Sequence, residues 1–283
     1  MKEPEPTATR PATQAGRFYE ADPQRLRRQL EGLLAESPVP ARACASLVLV
    51  APHAGYAYSG AVAAAAYRTL AGAPVDHVLI LGPSHYADFG GAALPSQAAF
   101  ATPLGAVAID REAVNALAAG PGFAIREEGH AREHSIEVQL PFLQIALAGP
   151  FQIVPVTLGR LPAEGLEPLV ETLGGLLKSR RGAGEHWLIV VSTDTYHGFD
   201  AQACRANDER LRGMMEGLDS AGLLEAFRRR EVTACGWLGL VLALRVAEAL
   251  GARRGEVLQR ADSQGPERGA GDYVVGYLAA AIS

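Results

Sequence analysis

The chain is poor in cysteine, in positive charge and in long apolar runs, and each shortage closes off a class of protein. Only 3 cysteines occur in 283 residues. They are Cys44, Cys204 and Cys235, too far apart for a CxxC pair. That rules out a disulfide framework, and a reducing cytoplasmic setting is expected. The N-terminal MKEPEPTATRPATQ has no apolar stretch of the signal-peptide kind. The most apolar late segment, Trp237–Leu244, stops at Arg245 and is too short to span a bilayer. No membrane partner is therefore expected. Lysine and arginine total 26 against 31 acidic residues, for a net charge of −5. The longest basic run, Arg228–Arg230, is followed at once by Glu231 and reads as a solvated helix end. Nucleic acid is not expected as a partner, because phosphate binding leans on clustered cations. There is no internal repeat and no Gly-x-Ser-x-Gly nucleophile elbow.

What is present is an ordinary globular composition, 48% hydrophobic. Residues 1–14 are rich in Pro, Thr and Ala and read as a loose lead-in, with residues 1–10 outside the domain and 11–283 forming a single domain. Leu26, Leu30, Leu33 and Leu34 recur at helical spacing behind an N-cap at Asp22 and a first-turn Pro23. Continuous apolar runs at Ser46–Val50, His77–Leu81, Gln152–Leu158 and Leu188–Val191 suit strands buried on both faces. Helical patterns alternate with them near 60–71, 111–119, 134–148, 162–180, 202–217 and 236–250. The alternation predicts an α/β fold with a mainly parallel central sheet flanked by helices. Asp272–Ile282 fits either a last strand or a short helix, and Ala261–Gly271 reads as a polar, Gly-rich loop.

Three of the apolar runs hand over to loops bearing His or Asp. The first ends in Ala51-Pro-His-Ala-Gly-Tyr56, the second in Gly82-Pro-Ser-His85, the third in Ser192-Thr-Asp-Thr-Tyr-His-Gly198. Ligands of open α/β sheets bind beyond the carboxyl ends of the strands. The spacing therefore predicts that His53, His85, Asp194 and His197 converge on one polar pocket, a metal site. His77 and His186 stand at strand starts and read as structural or exposed. His130 and His134 have His-x-x-x-His spacing without the HExxH signature. A helix starting near His134, with Ile136, Leu140, Leu143 and Leu147 as its stripe, would put a neutral imidazole at its N-terminus, able to accept a proton. Cys235, in Thr233-Ala-Cys-Gly236, precedes an apolar helix whose N-terminus favours a thiolate. Cys44 and Cys204 read as structural.

The chain resembles the MEMO family in several motifs taken in order. They are Ala15-Gly-Arg-Phe-Tyr19, the His53, His85 and Asp194 motifs above, Glu133-His-Ser-Ile-Glu137 with Leu140-Pro141, Val154-Pro-Val156, Thr233-Ala-Cys-Gly236, and Asp272-Tyr-Val-Val-Gly-Tyr277. The likeness runs from about residue 11 to 281. It implies a class III extradiol dioxygenase-like fold, with a metal held by His53, His85 and Cys235. It also places His134, Asp194 and His197 in the same pocket as catalytic residues. It further implies radical-SAM and AMMECR1-like partner proteins. The sequence here reads Ser192-Thr-Asp194 where the family often has Ser-Ser-Asp, but Asp194 and His197 keep their spacing.

Two imidazoles and a thiolate suit Fe(II), Cu or Zn, and not Mg or Ca. Three activities follow from that donor set. A redox-active ion would support an oxidoreductase acting on a small aromatic substrate and O₂. A non-enzymatic protein would bind metal, report redox state through Cys235 and dock to a partner. A metal-dependent hydrolase would use zinc-bound water or Cys235 itself.

Overall fold

The computed structural model describes residues 8–42, 46–147, 149–162, 165–264 and 272–283. The strands are β1 (Thr9–Arg10), β2 (Val48–Ala51), β3 (His77–Pro83), β4 (Ala92–Leu94), β5 (Ala99–Thr102), β6 (Gly105–Ala108), β7 (Phe123–Ile125), β8 (Gln152–Leu158), β9 (Trp187–Ser192), β10 (His197–Gly198), β11 (Gly255–Asp262) and β12 (Val274–Ile282). The helices are α1 (Pro23–Glu36), α2 (Tyr56–Arg68), α3 (Arg111–Ala118), α4 (His134–Glu137), α5 (Leu140–Ala146), α6 (Leu166–Gly182), α7 (Ala201–Glu216), α8 (Ser220–Arg228) and α9 (Trp237–Ala249).

The apolar runs become the middle of one large sheet. Strands β2, β9, β3 and β8 lie side by side and parallel, in that order. Every residue of β2 and β9 is buried, as continuous apolar runs require when both faces are covered. Helix α2 packs on β2, β11 and β12 and is backed by α1 and α5, while α9 packs on β2, β3 and β9 and is backed by α6 and α8. Helix α1 begins as its sequence dictates. Asp22 accepts a hydrogen bond from the Arg25 amide, and Pro23 stands in the first turn.

The sheet is mixed, so the expectation of a mainly parallel one holds for its centre and fails at its flanks. Strand β12 runs antiparallel to β2 and β11, and β4 antiparallel to β8. Of the two readings left open for Asp272–Ile282, the strand is the observed one. The edge strand β11, only part-buried along most of its length, and the short helix α8 were not anticipated. Part of the loop expected at Ala261–Gly271, and Cys44, fall outside the described residues; Ala261 and Asp262 close β11.

A small sheet of β1, β5 and β6 carries the other surprise. The lead-in is not loose from Thr9 onward: β1 pairs with β5, and Arg10 is buried against Glu137. The helix expected over 134–148 is two short ones, α4 and α5, with Leu147 capping the second. His77 stacks on Trp187 and His186 bonds Asp76, both at strand starts, as expected of structural histidines.

His130 is also structural. It is buried, its Nε2 lies 3.0 Å from the Ala93 carbonyl, and burial lowers its pKa from 6.5 to about 4. The unfolded chain takes up this proton as pH falls below about 6.5 while the folded chain does not. Its contribution to stability is therefore complete above that pH and disappears as pH falls toward 4. His130 alone removes on the order of 2 kcal/mol between about pH 7 and 5. Urea unfolding of the metal-free protein at the two values measures the loss, and equal stability at both contradicts it.

Candidate metal centre

Strand ends and two helix starts assemble the site. His53 follows β2 and is 2% exposed. His85 follows β3. Cys235 immediately precedes the turn into α9, and His134 opens α4. Helix α4 reaches the end of β3 because residue 82 has no side chain. A Cβ on Gly82 would lie 2.5 Å from Ser135 Oγ, so only glycine permits this approach.

One ligand atom each from His53, His85 and Cys235 lies within 4.8 Å of the others. His53 Nε2 is 3.2 Å from Cys235 Sγ. The three imidazoles of His53, His85 and His134 pack together, with ring centroids 4.5–5.4 Å apart.

The hydrogen bonds behind these rings fix which nitrogen faces the cluster. A carboxylate only accepts, so His85 Nδ1 donates to Glu133 Oε1 at 2.9 Å and Nε2 stays bare. The His53 ring is fixed by a longer chain of bonds. Tyr67 donates to Gln139 Oε1, which leaves Gln139 Nε2 to donate to the Pro52 carbonyl and to Ser192 Oγ. Ser192 sends its one proton to the Ser135 carbonyl. Its oxygen must then accept from His53 Nδ1, 2.9 Å away, and the lone pair of His53 Nε2 points at Cys235. Buried carboxylate or hydroxyl partners on the far nitrogen are how metal-binding histidines are oriented.

Glu133 is the residue the sequence reading missed. It accepts from the His85 amide at 2.6 Å, from the His85 ring, and from the His134 and Ser135 amides at 2.9 Å. Burial works against its charge, yet the hydrogen bonds from the His85 ring, the His85 amide and the Ser135 amide hold its pKa at about 2. Glutamate is an uncommon N-cap, and its place directly before His134 was the available signal. His85, Glu133 and His134 form a second possible ligand group. We favour the first group, because the Glu133 oxygens are already engaged by four N–H donors.

Asp194 is buried, and burial raises its pKa to about 6. Its Oδ1 accepts the backbone N–H of His53 at 2.8 Å, so it holds the His53 loop rather than a ring. The Asp194 amide donates to Cys235 Sγ at 3.2 Å. Burial, then the Asp194 charge, raise the thiol pKa to about 12, outweighing the helix start that was expected to favour thiolate. His134 is neutral as anticipated, but its pKa of about 3 comes from burial first and the charges of His53 and His85 next, not from the four-residue α4. His197 is exposed at the rim, its Nδ1 3.2 Å from the Thr195 carbonyl.

The family described as Memo-like protein matches residues 10–281. The chain belongs to the Memo-like family. Among its relatives, a MEMO1 family protein of Methanopyrus kandleri is 35% identical, covering 94% of this chain and 95% of its own. One of Saccharolobus solfataricus is 34% identical over 94% and 96%. One of Methanothermobacter thermautotrophicus is 34% identical over 95% and 98%. The matched span takes in the residues that build the cluster: the two histidine turns, the Glu133–Glu137 segment and the Cys235 turn.

The donor set fits a transition metal. Two ring nitrogens and a sulfur gather within 4.8 Å of one another, and the first group itself includes no carboxylate. An ion bonded to all three at usual lengths needs donors about 3.3–3.8 Å apart. The His53–Cys235 separation is already close to that. The high thiol pKa is no obstacle, since a coordinating thiol gives up its proton to the ion.

Proposed function

We propose that this Memo-like protein binds one iron(II) or copper ion through His53, His85 and Cys235 and acts as a metal-dependent oxidoreductase. Its fold would then be a relative of the class III extradiol dioxygenases. The convergence of one ring nitrogen each from His53 and His85 with Cys235 Sγ within 4.8 Å carries the reading. A thiolate with two imidazoles is too soft for Mg or Ca and accepts Zn as well. Bound there, iron or copper supplies redox chemistry toward O₂.

The chain's own residues supply the rest. His134 Nδ1 is buried 3.4 Å from Glu133 Oε1 without a hydrogen bond to it, so the neutral ring keeps an imidazole nitrogen free to take up a proton. That neutral nitrogen accepts the hydroxyl proton of a small aromatic substrate. Phe18, with its ring 4.7 Å from His134, walls the approach. Asp194 keeps the His53 loop in place, and His197 meets the substrate at the rim.

The test is metal content by mass spectrometry of untagged protein purified without oxygen. About one equivalent of iron or copper is expected, lost in His53→Ala and Cys235→Ala. His134→Ala keeps the ion and loses turnover of a catechol. No metal in any sample, even after reconstitution, overturns the metal centre.

A second reading, a non-enzymatic metal-binding protein that docks to radical-SAM or AMMECR1-like partners, is favoured by exposed aromatics near the site. Tyr86 is 47% exposed beside His134, and Phe199 and Tyr273 form an edge-on pair near His197. Metal retention without turnover of any catechol selects it. Activity that persists with zinc under strict anaerobiosis selects the hydrolase reading instead.

A further inference from the structure

A cavity of about 540 Å³ opens beside the cluster. Its wall comes from the ends of β3 and β8 and the start of α9, where open α/β sheets receive ligands. Pro83, Leu158, Leu161, Trp237 and Leu238 make that wall mostly apolar. Cys235 completes it, and neither His53, His85 nor His134 contributes. Cys235 is part-exposed while His53 behind it is buried. Cys235 therefore stands between His53, whose Nε2 lies 3.2 Å from its Sγ, and the cavity that it helps to line.

The charge of the wall decides what fits. Asp88 and Arg160 are its only charged side chains among the described residues. Both are largely exposed, and they pair with each other. Ser84 spends its proton on the Ala87 carbonyl. Among the described residues of the wall, no unpaired cation is left for a phosphate or carboxylate, and no unpaired anion for an amine. The volume lies within the range of small-molecule sites, about 300–1,000 Å³.

We propose that this cavity binds a small, uncharged, largely apolar organic molecule and presents it to the Cys235 side of the metal cluster. The second half of this statement rests on the metal reading. The first half does not, and the two are tested apart.

Trp187→Phe leaves Trp237 as the sole tryptophan, since the chain has 2. Trp187 stacks on His77 at the start of β9, and phenylalanine keeps a ring there. In this background, metal-free protein is titrated with 4-nitrobenzyl alcohol and with 4-nitrobenzoate, quenchers alike in shape and different in charge. The alcohol is expected to quench Trp237 saturably, and the anion to bind at least tenfold more weakly. Ala87→Phe narrows the cavity at a part-exposed position. It is expected to weaken the alcohol at least tenfold with unchanged thermal midpoint and metal content. Linear quenching equal for both compounds and unaltered by Ala87→Phe overturns the site. Equal saturable binding of both overturns its neutrality. With cobalt(II) loaded as a spectroscopic probe, saturating alcohol is expected to shift the visible bands, and unchanged bands overturn presentation to Cys235. If the protein takes up no metal at all, the metal reading falls while the titration still judges the cavity.

Discussion

Arg10→Met lowers the unfolding free energy by about 3–5 kcal/mol, because it strands a buried carboxylate. Arg10 is 2% exposed, and its Nη1 lies 2.6 Å from Oε2 of Glu137, whose side chain is 0% exposed. The same guanidinium donates through Nε to the His130 carbonyl at 2.6 Å and through Nη2 to the Glu133 carbonyl at 2.7 Å. It also lies over the Phe100 ring, 4.9 Å from its centroid. Glu137 accepts from the Thr13 and Gln14 amides, the Thr13 hydroxyl and the Tyr19 hydroxyl. Burial raises its pKa, but Arg10 and these donors bring it below the usual carboxylate value. Without Arg10 that balance reverses. Urea unfolding near neutral pH measures the change, and a loss under about 1 kcal/mol contradicts the assignment. The double variant Arg10→Met/Glu137→Leu is expected to recover part of the loss, since a well-packed apolar pair avoids the desolvation cost of both charges.

Glu133→Gln weakens metal binding by about 10–100-fold, the usual cost of removing an oriented carboxylate behind a histidine ligand. Glu133 meets only N–H donors. A glutamine must turn its own NH₂ toward at least one of them, and the ring of His85 loses its fixed tautomer. Competition against a chromophoric chelator gives the affinity, and unfolding in excess chelator separates the effect from general destabilisation. An unchanged affinity with a lowered midpoint reduces Glu133 to a helix cap. Affinity and midpoint both unchanged dismiss the residue altogether.

The sheet centre was legible because β2, β3, β8 and β9 are unbroken apolar runs, and burial on both faces leaves that trace alone. The flanks were not. Val274–Ile282 includes Ala279, Ala280 and Ala281, which fit helix and strand alike, and only pairing with β2 and β11 decides. The lead-in was misjudged because its composition is that of a loop, while the partner of Arg10 lies 127 residues away. His53, His85 and Cys235 could be read from strand-end position and resemblance. Their support could not, since Tyr67, Gln139 and Ser192 come from separate elements and meet only in the folded interior.

The position of β12 sets a schedule for biosynthesis. It lies between β2 and β11, so the strand that delivers His53 lacks its neighbour on that side until Val274–Ile282 has been made. Cys235, too, leaves the ribosome long after both histidines. An ion caught by the nascent chain at His53 and His85 would be held by a half-built edge. On the proposed metal reading, full affinity arises only when the sheet closes, after the last strand has been made.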